Sequence, residues 1–179
     1  MTLVLGFAPF ILFAVLSRLS VDLALWGAFA AAFVVTIRDF VESPSLRLLD
    51  AGNVALFGAL ALVRGFLAPA LFSSEVVVRA AAELFLFLLL STSLLRAKPF
   101  SLEYAHVMPE ERSEPFFMRV NIVISGIWAA SFAAMAAMDL LVLFARLPLW
   151  PAIAVSVAAL AIAITFTLRY PTYAAAHRR

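Results

Sequence analysis

Cysteine is absent from the 179 residues, and charge is scarce: Asp, Glu, Lys and Arg make up 13% of the chain, against roughly 25% in a soluble domain. The first absence excludes disulfides, iron–sulfur ligation and thiol nucleophiles. The second argues against water as the main solvent, because 65% of the residues are hydrophobic and the mean hydropathy is +1.07. A chain of this length has no interior large enough to hide that much apolar surface. Histidine is nearly absent too. His106 and His177 both fall in polar segments, so neither an intramembrane bis-histidine haem nor any other cofactor is expected. A net charge of +2 with no basic arm or stripe leaves no footprint for nucleic acid. Metal-ligand spacings, phosphate loops, nucleophile elbows and paired catalytic carboxylates are all missing, so no enzymatic activity is expected.

What is present is a series of apolar runs near 3–17, 21–37, 51–72, 75–95, 120–144 and 149–168, with most charges between them. This pattern predicts an all-α polytopic transmembrane bundle of about six short spans, a single membrane domain over 1–179. No basic residue precedes the first run and a second follows almost at once, so it reads as a span and not a cleaved signal. The first two runs are short for a core about 30 Å thick, and would cross nearly upright or pair as a shallow hairpin. Between them Ser17-Arg18-Leu19-Ser20 forms a tight turn, with Asp22 near the next helix start, and Ser43-Pro44-Ser45 interrupts the following linker.

Basic residues are distributed unevenly. Arg38 and Arg47 lie after the second run, Arg96, Lys98, Arg112 and Arg119 after the fourth, and Arg169, Arg178 and Arg179 at the end, whereas the alternate side holds only Arg18 and Arg146. The positive-inside rule then puts the basic loops and, for an even count, both termini in the cytoplasm. Trp26 and Trp150 fall at the outer interface and Tyr170 and Tyr173 at the inner one, as an aromatic belt requires.

Ionisable side chains within spans are rare and need partners. Arg64, Arg79 and Glu83 are the main cases here. A hairpin turning at Ser73-Ser74 would put Arg64 and Glu83 at matching depth, about 12 Å below the outer boundary, and so predicts an interhelical Arg64–Glu83 pair. That pair is either a structural lock that snorkels to the interface or a substrate or proton site reached from outside. Alternatively Arg64-Gly65 and Pro69 end the helix early and 65–74 is an outer loop. Asp22 and Asp139, near the outer ends of their spans, either join this cluster or are solvated helix ends.

Asn53 and Asn121 read as packing amides that bridge helices. The fifth run carries Ser125, Ala129, Ala133 and Ala137 at four-residue spacing, with Gly126, Ala130 and Ala134 beside them, and the sixth carries Ala154, Ala158 and Ala161. Small ridges let backbones approach closely, either between these two spans or against another copy or another membrane protein. The segment 96–119 is expected to be a cytoplasmic loop lying in the interface, anchored by Phe100, Leu102, Tyr104, Met108, Phe116 and Phe117. Glu103, Tyr104 and His106 are its candidate partner-binding residues, and the acidic Glu110, Glu111 and Glu114 suit a basic protein.

Several ordered landmarks resemble the intracellular septation protein A family of bacterial inner-membrane proteins. They are an early proline in GFAPFILFAVLSRL, a basic residue soon after a turn in SSEVVVRAAAE, the basic-Pro-apolar element RAKPF, and an acidic linker leading to Asn121 and Trp128 in VNIVISGIWAASFAAMAAMDLL. Arg79 stands where that family usually has lysine and Asp139 where asparagine is expected. The resemblance implies a non-enzymatic accessory or scaffold protein of the envelope, tied to septation and elongation through contacts with other membrane proteins. The competing expectation is a small oligomeric transporter or channel built around Arg64, Arg79 and Glu83.

Overall fold

The computed structural model describes residues 5–17, 19–42, 47–67, 74–104 and 114–176. Among them there is no strand, and six helices follow in order: α1 (Ala8–Leu16), α2 (Val21–Glu42), α3 (Leu48–Leu62), α4 (Glu75–Leu95), α5 (Pro115–Ala145) and α6 (Trp150–Ala176). A π-helical turn, Val63–Leu67, extends α3, and a 3-10 turn, Phe100–Tyr104, follows α4. With this extension of α3, the helices from α2 to α6 give five segments long and apolar enough to cross a membrane. The chain is an all-α, multi-pass bundle.

The first expected span is the exception. As a helix of nine residues, α1 is about 14 Å long, less than half the hydrocarbon core. The hairpin alternative fits it, because the turn after it folds α2 straight back: the Ser20 N–H donates to the Leu16 carbonyl at 3.1 Å, and Ser20 Oγ accepts the Leu23 N–H at 3.5 Å. The turn over 63–67 is helical, which answers part of the helix-or-loop question for 65–74. Residues 68–73 lie outside the described set, as do Arg18, Ser43-Pro44-Ser45, His106 and the tail from His177.

Two compact units divide the chain, Met1–Phe85 and Leu86–Arg179, with α4 running from one into the other. In the first, Phe7, Phe10 and Phe13 recur every third residue along the start of the chain and are all buried. Opposite them α2 buries Ala24, Leu25, Ala28 and Ala32, spaced as one helical stripe, and α3 buries Leu49, Leu56, Phe57 and Leu60. The Phe13 and Phe57 rings meet at 5.6 Å. The α2–α3 contact depends on a missing side chain: a Cβ on Gly58 would lie 3.0 Å from the Phe29 ring.

In the second unit α4 ends in a Schellman motif. Ala97 takes a left-handed φ of 52°, the Lys98 N–H donates to Ser93 O and the Ala97 N–H to Leu94 O, both at 3.0 Å. Segment 96–119 therefore departs from the expected loop. Its first part turns into the 3-10 element with Phe100 and Tyr104 buried, and its last part is already α5, which starts at Pro115 with proline in the first turn. Along the α5–α6 seam Trp128 Nε1 donates to Thr167 Oγ1 at 2.9 Å and the Ser131 hydroxyl to the Ala159 carbonyl at 3.3 Å, over Ala152, Ala159 and Ala163 of α6.

Replacing Gly58 by Leu should overpack the α2–α3 contact and cost about 1–3 kcal/mol, read as a lower unfolding midpoint in detergent by circular dichroism. An unchanged midpoint would mean that Phe29 swings clear at no cost.

Candidate functional site

Polar side chains in an apolar helix hairpin must find one another, and in the first unit they do so at both ends. At the end formed by the α1–α2 turn, Arg64 of the π-helical turn holds Asp22 of α2 through two contacts, Nε–Oδ1 at 2.5 Å and Nη2–Oδ2 at 3.2 Å. At the other end Arg47, the residue preceding α3, pairs with Asp39 of α2. Seventeen residues separate Asp22 from Asp39, and seventeen separate Arg47 from Arg64, about 25 Å along each helix. The Thr36 hydroxyl, which donates to the Asp50 carbonyl at 3.4 Å, sits in the same antiparallel register.

The two pairs differ in exposure. The Arg47 and Asp39 side chains are 8% and 10% exposed, whereas Asp22 is 61% exposed beside an Arg64 at 17%. Burial makes the former the costlier one to break, because an abandoned charge there has no water to turn to.

Near the Asp22 end a second polar group gathers. Ser17, which closes α1, donates to Glu75 Oε1 at 3.2 Å, and Arg79 approaches the same oxygen at 3.9 Å from one turn along α4. Glu83 lies a further turn along, 1% exposed, with Arg79 buried as well. The expected cluster is thus rearranged. Arg64 grips Asp22, Arg79 is one turn from both Glu75 and Glu83, and Asp139 belongs to the second unit, where it is fully buried on α5.

The second unit holds a polar knot that sequence reading did not anticipate. The buried Ser101 hydroxyl lies 2.8 Å from Asn121 Oδ1, 3.1 Å from the Asn121 carbonyl and 3.1 Å from Ser125 Oγ, tying the 3-10 turn to α5. Asn121 meets its expected role as a bridge and also donates to the Phe117 carbonyl at 2.9 Å. Asn53 does the same in the first unit, donating to the Gly6 carbonyl at 2.7 Å. Tyr104 is buried and Glu103 exposed, so these neighbours in the expected loop site face different surroundings, and His106 lies outside the described residues.

The small residues of α5 divide between two faces. Ser125 and Ala129 are buried, Gly126 and Ala133 are half-buried, and Ala130, Ala134 and Ala137 are exposed. A Cβ added at Gly126 would meet nothing within 4 Å. Among the described residues no group of three or more His, Asp or Glu side chains is arranged to hold a metal ion. No family model, curated protein or solved structure matches the chain.

Replacing Arg47 by Met should cost about 3–5 kcal/mol, and adding Asp39→Leu should restore most of it, since the double variant leaves no buried charge. Asp22→Asn should cost about 1 kcal/mol or less. Unfolding in mixed dodecyl sulfate micelles measures all three, and equal losses from Arg47→Met and Asp22→Asn would show that burial does not separate the two pairs.

Proposed function

We propose that this chain is a non-enzymatic accessory or scaffold protein of the bacterial inner membrane, acting in septation or elongation of the envelope through helix contacts with other membrane proteins. The observation that carries the reading is the open side of α5, where Gly126, Ala130, Ala133 and Ala137 line up at spacings of four, three and four residues and remain exposed or half-buried. Small residues at that spacing let a neighbouring backbone approach closely, which is the contact that drives helix association in lipid. The ordered polar landmarks that resemble those of the intracellular septation protein A family support the same assignment. Of these, RAKPF contains the Schellman stop of α4, and Asn121 is the hub of the Ser101 knot.

Under the positive-inside rule Arg96, Lys98, Arg119 and Arg169 mark the cytoplasmic side of the second unit. The C-terminus is then cytoplasmic, and the N-terminus is cytoplasmic as well if the short α1 and its flanks make the sixth crossing.

A second reading, a small oligomeric transporter or channel, draws on the buried Arg79 and Glu83 one turn apart on α4. The two readings separate in one experiment. Purification from the source membrane in native nanodiscs, followed by native mass spectrometry, should show a defined heteromeric complex that Ala130→Leu/Ala137→Leu dissociates and Glu83→Gln leaves intact. Recovery of a homo-oligomer alone, with ion flux that Glu83→Gln abolishes, would replace the accessory reading with the transporter.

A further inference from the structure

A groove of about 650 Å³ runs along α6, lined by Ala161, Ile162 and Phe166 at one end and by Arg169, Tyr170 and Tyr173 at the other. Its composition changes along the helix in the way a leaflet does. From Trp150 at the start of α6 to Arg169 is 19 residues, about 28 Å, close to the thickness of a hydrocarbon core of about 30 Å. Arg169 therefore stands at headgroup level when Trp150 stands at the opposite interface. From Arg169 inward to Ala161 is about 12 Å, most of one leaflet.

The polar end carries a charge that makes no ion pair among the described residues. Arg169 is exposed, and no Asp or Glu follows Asp139 in the sequence, while Arg178, Arg179 and His177 follow Arg169. Its wall is flat and rigid: the Phe166 and Tyr170 rings stack at 4.5 Å with 17° between their planes. A cation beside Tyr170 and Tyr173, at the end of an apolar groove about 12 Å long, is complementary to an anionic headgroup with an apolar chain.

We propose that this groove is a binding site for an anionic phospholipid, with the headgroup phosphate on Arg169 and an acyl chain along Phe166, Ile162 and Ala161. Tyr173, one turn beyond Arg169, is placed to donate to the phosphate or the glycerol oxygens from the water side. The site depends only on the chain being in a bilayer, so it stands whether the protein is an accessory subunit or a transporter.

The test is native mass spectrometry of the full chain, delipidated in detergent and then titrated with phosphatidylglycerol or with phosphatidylcholine of the same acyl chains. The wild type should retain phosphatidylglycerol preferentially. Arg169→Gln should lower its retention about fivefold, the factor one basic side chain near an anionic surface is worth, while Arg169→Lys should keep it. Ala161→Trp, which fills the apolar end and leaves the charge in place, should lower retention with helicity by circular dichroism unchanged. Equal retention of the two lipids by the wild type, or undiminished phosphatidylglycerol on Arg169→Gln, would overturn the proposal. So would a cross-link from position 162 to a protein segment in place of lipid.

Discussion

The register of α2 against α3 is the constraint on which the first unit depends. In water two apolar helices are held together by the hydrophobic effect, but in lipid that force is absent and neighbours slide unless something specific stops them. Here Asp22–Arg64 and Asp39–Arg47 stop them at both ends, at equal spacing on the two helices. A shift by one turn would separate both pairs and drive Phe29 off the gap left by Gly58. The pairs are about 25 Å apart along each helix, so each lies near an interface where a charge is tolerable, and the hairpin is fixed in depth as well as in register.

Much of this architecture was legible in the sequence because composition dictates it. Apolar runs locate the five long helices, although α5 starts five residues before its expected start and α6 runs eight past its expected end, and Asn53 and Asn121 bridge as packing amides should; α5 does pack on α6, but through Ala152, Ala159 and Ala163, while the expected Ala154, Ala158 and Ala161 are exposed. The partners of the charges were not legible. The sequence reading gave Arg64 to Glu83 across the next turn, whereas the observed α2–α3 register brings it to Asp22; the Asp39–Arg47 pair was not among the expectations, because nothing in the spacing of the two residues marks them as partners. The two ends of the loop expected over 96–119 differ from expectation for a related reason. Its Ser, Pro and charged residues are the composition of a turn, but Ser101 satisfies its hydroxyl inside the protein, and Pro115 starts a helix where a hydropathy window still averages in the acidic linker.

The same accounting bears on function. A transport site needs polar groups that exchange partners with a substrate, whereas Asp22, Asp39, Glu75 and the Ser101 knot are engaged by side chains of the protein itself. Groups so engaged position helices. Arg79 likewise reaches Glu75 on its own helix, which is why the proposed role falls on the lateral surfaces.

Those lateral surfaces are of two kinds, and lipid distinguishes them. On α5 the exposed small residues form a surface with few side-chain rotamers to immobilise, so a helix approaching it loses little entropy and gains close backbone contact. On α6 the exposed residues include Ile162, Leu168 and Tyr173, which are long or ring-bearing, beside the small Ala154, Ala158 and Ala161. The proposed helix partner is assigned to the first and the proposed acyl chain to the second, where Arg169 and the stacked Phe166 and Tyr170 rings adjoin the groove. Because Trp128 and Ser131 of α5 are hydrogen-bonded to Thr167 and Ala159 of α6, the two surfaces belong to one rigid pair of helices, and whatever occupies one is held at a set angle to the other.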